Sequence, residues 1–260
     1  MKNCQKELGD RDEITIIPIS DTHLGDRFSD ADKLYETLSY ANQDGVYIIL
    51  LGDILNAELR DTVGNIYEAR LNPQEELELA LELFSPYKDK ILGIIQGNHE
   101  MRIKKRVGID VSKILATELG CLDCYDPVSL LLDISIGHNQ HGKPIIYQVF
   151  CTHGWGGGKK TGSKLDKAKE TKNIISNADI YLVAHHHEIF FSLDALNYYD
   201  KRTDKDYQMG QFIVGTGGYL SYGGYTERTA FPRNPVGSVR IVLSGRRKEK
   251  SIICNYRDEV

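Results

Sequence analysis

The sequence predicts an α/β fold built on two sheets, and three observations carry that prediction. Residues 14–19, 46–51 and 91–95 are short, branched and almost unbroken apolar runs, the pattern of strands buried on both faces. Stretches of helical period separate them, so that strand and helix alternate as in a parallel sheet with crossover connections. Past about residue 120 the texture changes to strands joined by short turns, which predicts a second, partly antiparallel sheet packed on the first.

The elements follow in order. Residues 1–13 are polar and carry both signs of charge, so no element is predicted there and the apolar stretch of a secretory signal is lacking. Ser29 precedes a stretch that places Leu34, Tyr35, Leu38 and Ala41 on one helical face. Asn72-Pro73-Gln74-Glu75 supplies a cap, a first-turn proline and an early acid ahead of Leu77, Ala80, Leu81 and Phe84. A helix is expected over 109–119 and another over 164–176. Strands are expected over 128–136, 144–150, 180–183, 189–196, 211–214, 236–243 and 251–255, the last after a charged turn at 245–250. With no internal repeat, low-complexity tract or linker, residues 1–260 are expected to form a single domain.

Composition narrows the class. A 260-residue chain of net charge −5 buries a substantial core but exerts no global pull on phosphate polymers, so any nucleic-acid contact must come from local basic patches. No segment approaches the roughly 20 apolar residues that span a bilayer, which excludes a membrane helix. Five scattered cysteines are an odd number in a chain too large to need disulfide staples, so a reducing cytoplasm is the expected location.

Five polar blocks each follow an apolar run: Asp21-Thr22-His23, Gly52-Asp53, Gly97-Asn98-His99-Glu100, Thr152-His153-Gly154 and His185-His186-His187. At the carboxyl ends of strands they would converge on one crevice. Asp21 and His23, one residue apart in an extended segment, face the same way and form a chelating pair. The Asp53 carboxylate has two oxygens, enough to bridge two cations about 3.5–4 Å apart, and Gly52 allows close backbone approach. Asn98 offers an amide oxygen, and His153, His185 and His187 offer imidazoles. That set, without thiolate, suits Zn, Mn, Fe, Ni or Co better than Mg or Ca. Singly, each of these residues is more often a surface or satisfied core residue; all five blocks in this order point to a two-metal hydrolase.

Over residues 21–187 these blocks resemble the calcineurin-like metallophosphoesterase superfamily, whose pattern is D-x-H, G-D, G-N-H-[D/E], a lone histidine and G-H-x-H. The resemblance implies a four-layer α/β/β/α sandwich. It also implies two divalent transition-metal ions, manganese foremost, one held by Asp21, His23 and His187, the other by Asn98, His153 and His185, with Asp53 between them. Ala184 stands where the family usually has glycine, and the one-residue gap favours His185 and His187 over His186 as the ligands. The implied chemistry is one-step hydrolysis: two cations lower the pKa of a bridging water, hydroxide attacks phosphorus in line, and His99, not a ligand, protonates the leaving oxygen as general acid. Glu100 is expected to orient His99 or to pair with a local base.

The substrate that the resemblance implies is a phosphoester. A phosphodiester, in DNA or a nucleotide, is favoured by the Asp-Thr-His-Leu-Gly opening, which resembles that of the superfamily's repair nucleases, by the basic cluster Arg102, Lys104, Lys105 and Arg106, and by the glycine-tyrosine stretch 215–225, whose Tyr219, Tyr222 and Tyr225 offer stacking faces. The alternatives are a phosphomonoesterase and, from another class, a non-catalytic metal-binding scaffold. The glycine- and lysine-rich stretch 154–164 matches no P-loop and is expected to be a flexible lip whose Lys159 and Lys160, with Arg102 and Lys105, meet substrate phosphate. Cys121 and Cys124 have zinc-ligand spacing but no second pair, and His138 and His141 are expected at a hairpin tip.

Overall fold

The computed structural model describes residues 1–60, 69–224, 227 and 232–254; Tyr225 and Asn255 lie outside them. In chain order the strands are β1 (Lys2–Glu7), β2 (Glu13–Ile19), β3 (Val46–Leu50), β4 (Ile91–Ile95), β5 (Tyr125–Asp126), β6 (Ser129–His138), β7 (Pro144–Thr152), β8 (Ile180–Val183), β9 (Ile189–Asp200), β10 (Lys205–Gly218), β11 (Gly237–Ser238), β12 (Arg240–Ser244) and β13 (Lys250–Ile253). The helices are α1 (Ala31–Ala41), α2 (Pro73–Phe84), α3 (Asn98–Val107), α4 (Val111–Glu118) and α5 (Thr161–Lys169). One sheet runs β13-β12-β2-β3-β4-β5, parallel from β2 to β5 and antiparallel at β12 and β13. The other runs β1-β6-β7-β8-β10-β11, with β9 also paired antiparallel to β10.

The sheets meet face to face through β6 against β2 and β4. Alternation along β6 makes the layering plain: Leu130 and Leu132 join the core between the sheets, whereas Leu131 joins a second cluster with Phe150, Tyr181 and Ala168 of α5. Leu34, Leu38 and Ala41 of α1 and Leu77, Ala80 and Phe84 of α2 are buried as their spacing predicts, whereas Leu81 is half-buried and Tyr35 is exposed. The α2 cap is the predicted one, Asn72 accepting from the Gln74 and Glu75 amides while Glu75 accepts from Asn72; the α1 cap is Asp30, one residue past Ser29.

Three elements differ from expectation. Residues 2–7 form an edge strand parallel to β6 that buries only Cys4, too little apolar pattern to read from sequence. The basic stretch after Gly97, for which the sequence pattern predicts no element, is α3, which stops at Gly108 in the left-handed region (φ 74°). Only Ile103 and Glu100 of α3 are buried, so the helix carries almost no hydrophobic stripe. Finally, α5 begins at Thr161, inside the stretch expected as a lip, and β9 and β10 extend into a long hairpin. No helix of the described residues is long and apolar enough to cross a membrane.

Candidate metal centre

Each of the five polar blocks sits at the carboxyl end of a strand: Asp21 and His23 after β2, Asp53 after β3, Asn98 after β4, His153 after β7 and His185 to His187 after β8. The local geometry is not the extended one expected. Asp21 (φ 51°), His23 (φ 44°), Asp53 (φ 49°), His185 (φ 70°) and His187 (φ 49°) all lie in the left-handed region, five of the seven non-glycine residues there among those described. Side chains one residue apart are thus brought together by turning the chain, not by strand alternation. Such backbone costs on the order of 1–3 kcal/mol per residue and persists only where surroundings hold it. Here the hold is visible: Asp21 N donates to Gly52 O (3.1 Å), His23 N to Asp53 O (3.1 Å), Tyr219 N to Asp21 O (2.9 Å) and His185 N to Asp21 Oδ2 (3.1 Å). Gly52 (φ 83°) passes so close to the β4 loop that a Cβ would stand 2.4 Å from Gly97 N.

Three groups of donor atoms result, each within 4.8 Å of one another: Asp21, His23 and His187; Asp53, His153 and His185; and His23, Asp53 and His99. His187 Nε2 is 3.2 Å from Asp21 Oδ1 and 3.3 Å from His23 Nε2, while His153 Nε2 is 3.3 Å from Asp53 Oδ2 and 3.0 Å from Asn98 Oδ1. The residues fit metal. Asp21 is fully buried with an Oδ1 that makes no hydrogen bond, and oxygen and imidazole lone pairs face one another without enough protons to pair them, a donor set suited to divalent transition metals.

Carbonyl oxygens only accept, so they fix which nitrogen each imidazole leaves free. His153 Nδ1 donates to Leu51 O (2.8 Å), leaving Nε2 for a cation; His185 does the reverse, with Nε2 donating to Gly156 O (2.8 Å) and Nδ1 left free. His99 Nδ1 donates to Asn56 O (2.6 Å), and Arg102 Nη2 donates to its Nε2 (3.0 Å). His186 is turned away, its ring 5.4 Å from that of His185 and 6.4 Å from that of Phe190, and it joins none of the three groups.

Glu100 does not orient His99. Its Oε2 accepts from the Asp53 (3.1 Å) and Gly97 (2.9 Å) amides and its Oε1 from the Leu55 amide (2.9 Å), so it braces the Asp53 loop against the start of α3. Asn56 O and Arg102 hold His99 instead. Arg102 is itself fixed by Glu58 (3.1 Å), and Lys104 pairs with Asp110 (2.7 Å), so both are engaged within the chain. Lys105, Lys159 and Lys160 are exposed and join no metal-donor group.

Burial and charge act in opposition across the site. Burial raises Asp21 and Asp53, but His187 beside the first and His153 beside the second pull both below the usual carboxylate range. Burial lowers His153, yet Asp53 overrides it and pushes the imidazole up to about 10; His23, with burial and neighbouring imidazoles acting together, falls well below its ordinary value. Burial lifts Glu100 to about 7 and Glu76 to about 8.

Sequence reading missed Asn56, Glu58 and Glu76. Glu76 alone left a signal, a carboxylate on the apolar face of α2 ahead of Ala80 and Leu83, and its Oε2 accepts from the Ala57 amide (2.8 Å). Also missed is an aromatic and guanidinium rim: Arg27 lies 4.8 Å over the Phe28 ring and Arg233 4.7 Å over that of Tyr222. Phe28 O accepts from Ser221 N (2.9 Å), and Asn234 donates to His187 O (2.8 Å), so both pairs border the Asp21 and His187 loops. Tyr219, by contrast, is buried and offers no stacking face. All five cysteines are free, and among the described residues none joins a candidate ligand group.

The sequence profile described as calcineurin-like phosphoesterase matches residues 14–210. Among solved structures, a metallophosphoesterase from Sphaerobacter thermophilus is 16% identical, covering 94% of this chain and 89% of its own with a TM-score of 0.43. The calcineurin-like phosphoesterase YfkN from Bacillus subtilis is 12% identical, covering 92% and 90% with a TM-score of 0.40. The curated proteins give no match. The profile spans three quarters of the sequence, from the first strand of the central sheet past every one of the five blocks: the chain belongs to the calcineurin-like phosphoesterase family, metal-dependent hydrolases of phosphoesters.

Proposed function

We propose that the chain is a dinuclear phosphodiesterase, and the observation that carries this reading is that the Asp21–His23–His187 and Asp53–His153–His185 groups lie side by side, with His23 Nε2 4.0 Å from Asp53 Oδ2. Asp21, His23 and His187 would hold one divalent cation and Asn98, His153 and His185 the other, with Asp53 shared. When bound, two such cations supply a hydroxide near neutral pH and neutralise charge on the phosphoryl oxygens. The protein's part is positional. Leu51 O and Gly156 O hold His153 and His185 in opposite tautomers, and Glu100 holds the Asp53 loop. His99 Nε2, 3.9 Å from Asp53 Oδ2, lies at the rim of the donor groups, where it would protonate the leaving oxygen. With Arg102 donating to it, Nε2 carries no proton, so this role requires Arg102 to exchange His99 for another acceptor, and a substrate phosphate is the stronger one.

The preference for a diester in a nucleotide or nucleic acid is supported by the Arg27–Phe28 and Arg233–Tyr222 rim, since stacking on an aromatic face is worth about 1–3 kcal/mol per base and tolerates any base. Lys105, Lys159 and Lys160 would add diffuse attraction for the phosphates. A single domain in a cytoplasmic setting, with manganese in both positions, completes the reading. The test is elemental analysis of the purified protein followed by turnover on single-stranded DNA, duplex DNA, a cyclic nucleotide and a simple monoester. About two transition-metal ions per chain and faster diester than monoester cleavage are expected. Faster monoester cleavage overturns the preference; metal without turnover on any ester overturns the dinuclear mechanism.

A further inference from the structure

Lys164 lies on α5, one turn from its start, and is only 2% exposed. Its Nζ stands 2.6 Å from Glu188 Oε2 and 3.3 Å from His186 O, and Thr161 Oγ1 bonds the other oxygen of Glu188. The two residues it grips alternate with the candidate ligands His185 and His187, both left-handed. A buried ion pair is a poor way to fill space, because apolar side chains of similar volume pack at least as stably. Its advantage is aim: an ammonium under a turn bonds a carbonyl, here one that accepts from no backbone amide among the described residues, and fixes where that turn points. The turn has other anchors, His185 N on Asp21 Oδ2 and Asn234 on His187 O, but among the described residues Lys164 is the side chain that bonds the residue between the two ligands.

We infer that Lys164, with Glu188, is a positioning pair that holds the 185–187 turn in the shape in which His185 and His187 face their cations. The inference rests on the proposed dinuclear site. It makes α5, a helix with no residue among the donor groups, part of the metal centre.

The experiment is calorimetric titration of metal-free protein with Mn²⁺, beside urea unfolding of the same metal-free samples. Lys164→Met is expected to weaken Mn²⁺ binding about 10–100-fold, the usual cost of losing a group that orients ligands, while the metal-free unfolding midpoint stays near that of wild type. Glu188→Gln should weaken binding in the same direction by less. Lys169→Met, on the same helix but paired with Asp194 at 3.1 Å, should change neither reading. Unchanged Mn²⁺ affinity in Lys164→Met overturns the inference, as does a loss of affinity matched by an equal loss of metal-free stability. If Lys164→Met fails to fold, Glu188→Gln decides: wild-type affinity overturns the pair, weaker affinity with unchanged stability upholds it. Wild-type protein that takes up no divalent ion overturns the proposed site and the inference together, whereas tight binding by wild type and variants alike overturns the inference alone.

Discussion

The two halves of the donor cluster are built by different means. Around Asp21, His23 and His187 every residue is left-handed, and the ligand atoms meet because the backbone turns sharply after β2 and β8. Around Asn98, His153 and His185 only His185 is left-handed, and aim comes from side-chain bonds: tautomers fixed by Leu51 O and Gly156 O, and an amide at the first position of α3. The first half is held by strain that its neighbours must offset, the second by hydrogen-bond direction. Asp53 belongs to both, being left-handed and also paired with His153. Strain should make one half sensitive to anything that loosens its loops, and direction should make the other sensitive to protons.

The sharpest way to break the comparison is to remove what the halves share. Because a group that merely orients a ligand is worth about 10–100-fold in metal affinity, Asp53→Ala is expected to lower turnover at least about a thousandfold and to deplete both metals by elemental analysis. Retention of one full equivalent would mean the halves are independent. Next, His99→Ala should lower diester turnover by about a hundredfold or more while metal content stays at the wild-type level; lost metal would instead place His99 among the ligands, as its proximity to His23 and Asp53 allows.

The proton prediction rests on His153 of the second half, while Asp21 raises His187 of the first half in the same sense in spite of burial. His153 in the metal-free chain is raised from 6.5 to about 10 by Asp53, in spite of burial, so its contribution to metal-free stability is full below pH 6.5 and lost as pH rises through 10. Asp21 and Asp53, lowered, contribute in the opposite sense, their share present above pH 3.8 and lost as pH falls. Metal uptake at pH 8 must therefore expel the His153 proton, and calorimetry in buffers of different ionisation heat should register about one proton released per chain. Release that persists in His153→Ala would assign it to the other half. Smallest of all, Lys105→Ala and Lys160→Ala should move KM by no more than about threefold and kcat not at all, since exposed charges act weakly through solvent.

Much of the fold was legible because its cause is local. Unbroken apolar runs named β2, β3 and β4, and the Asn72 box with its proline named α2. What escaped lacked a local cause. The β1 strand buries one side chain and exists because β6 offers an edge, and α3 forms because Glu100 braces Gly97 and Asp53 while Ile103 is the one apolar side chain the helix buries. At the site, chemistry was legible and orientation was not. Asp21, His23, Asp53, His153, His185 and His187 could be picked out by type and spacing, yet the backbone expected to be extended at Asp21, His23, His185 and His187 is left-handed.

Sequence alone determined the donor set, because residue type dictates which atoms bind a cation and a strand end dictates where they emerge. Tertiary structure decided everything that depends on a distant partner: that Glu100 braces a loop instead of a histidine, that Arg102 faces His99, that Leu51 and Gly156 carbonyls choose tautomers, and that Lys164 lies beneath the last histidines. The reason is physical. A hydrogen bond spans about 3 Å in space and any distance in sequence, so a ligand's identity is written in its own residue but its aim is written in residues such as Asp21, 164 positions from the His185 amide it holds.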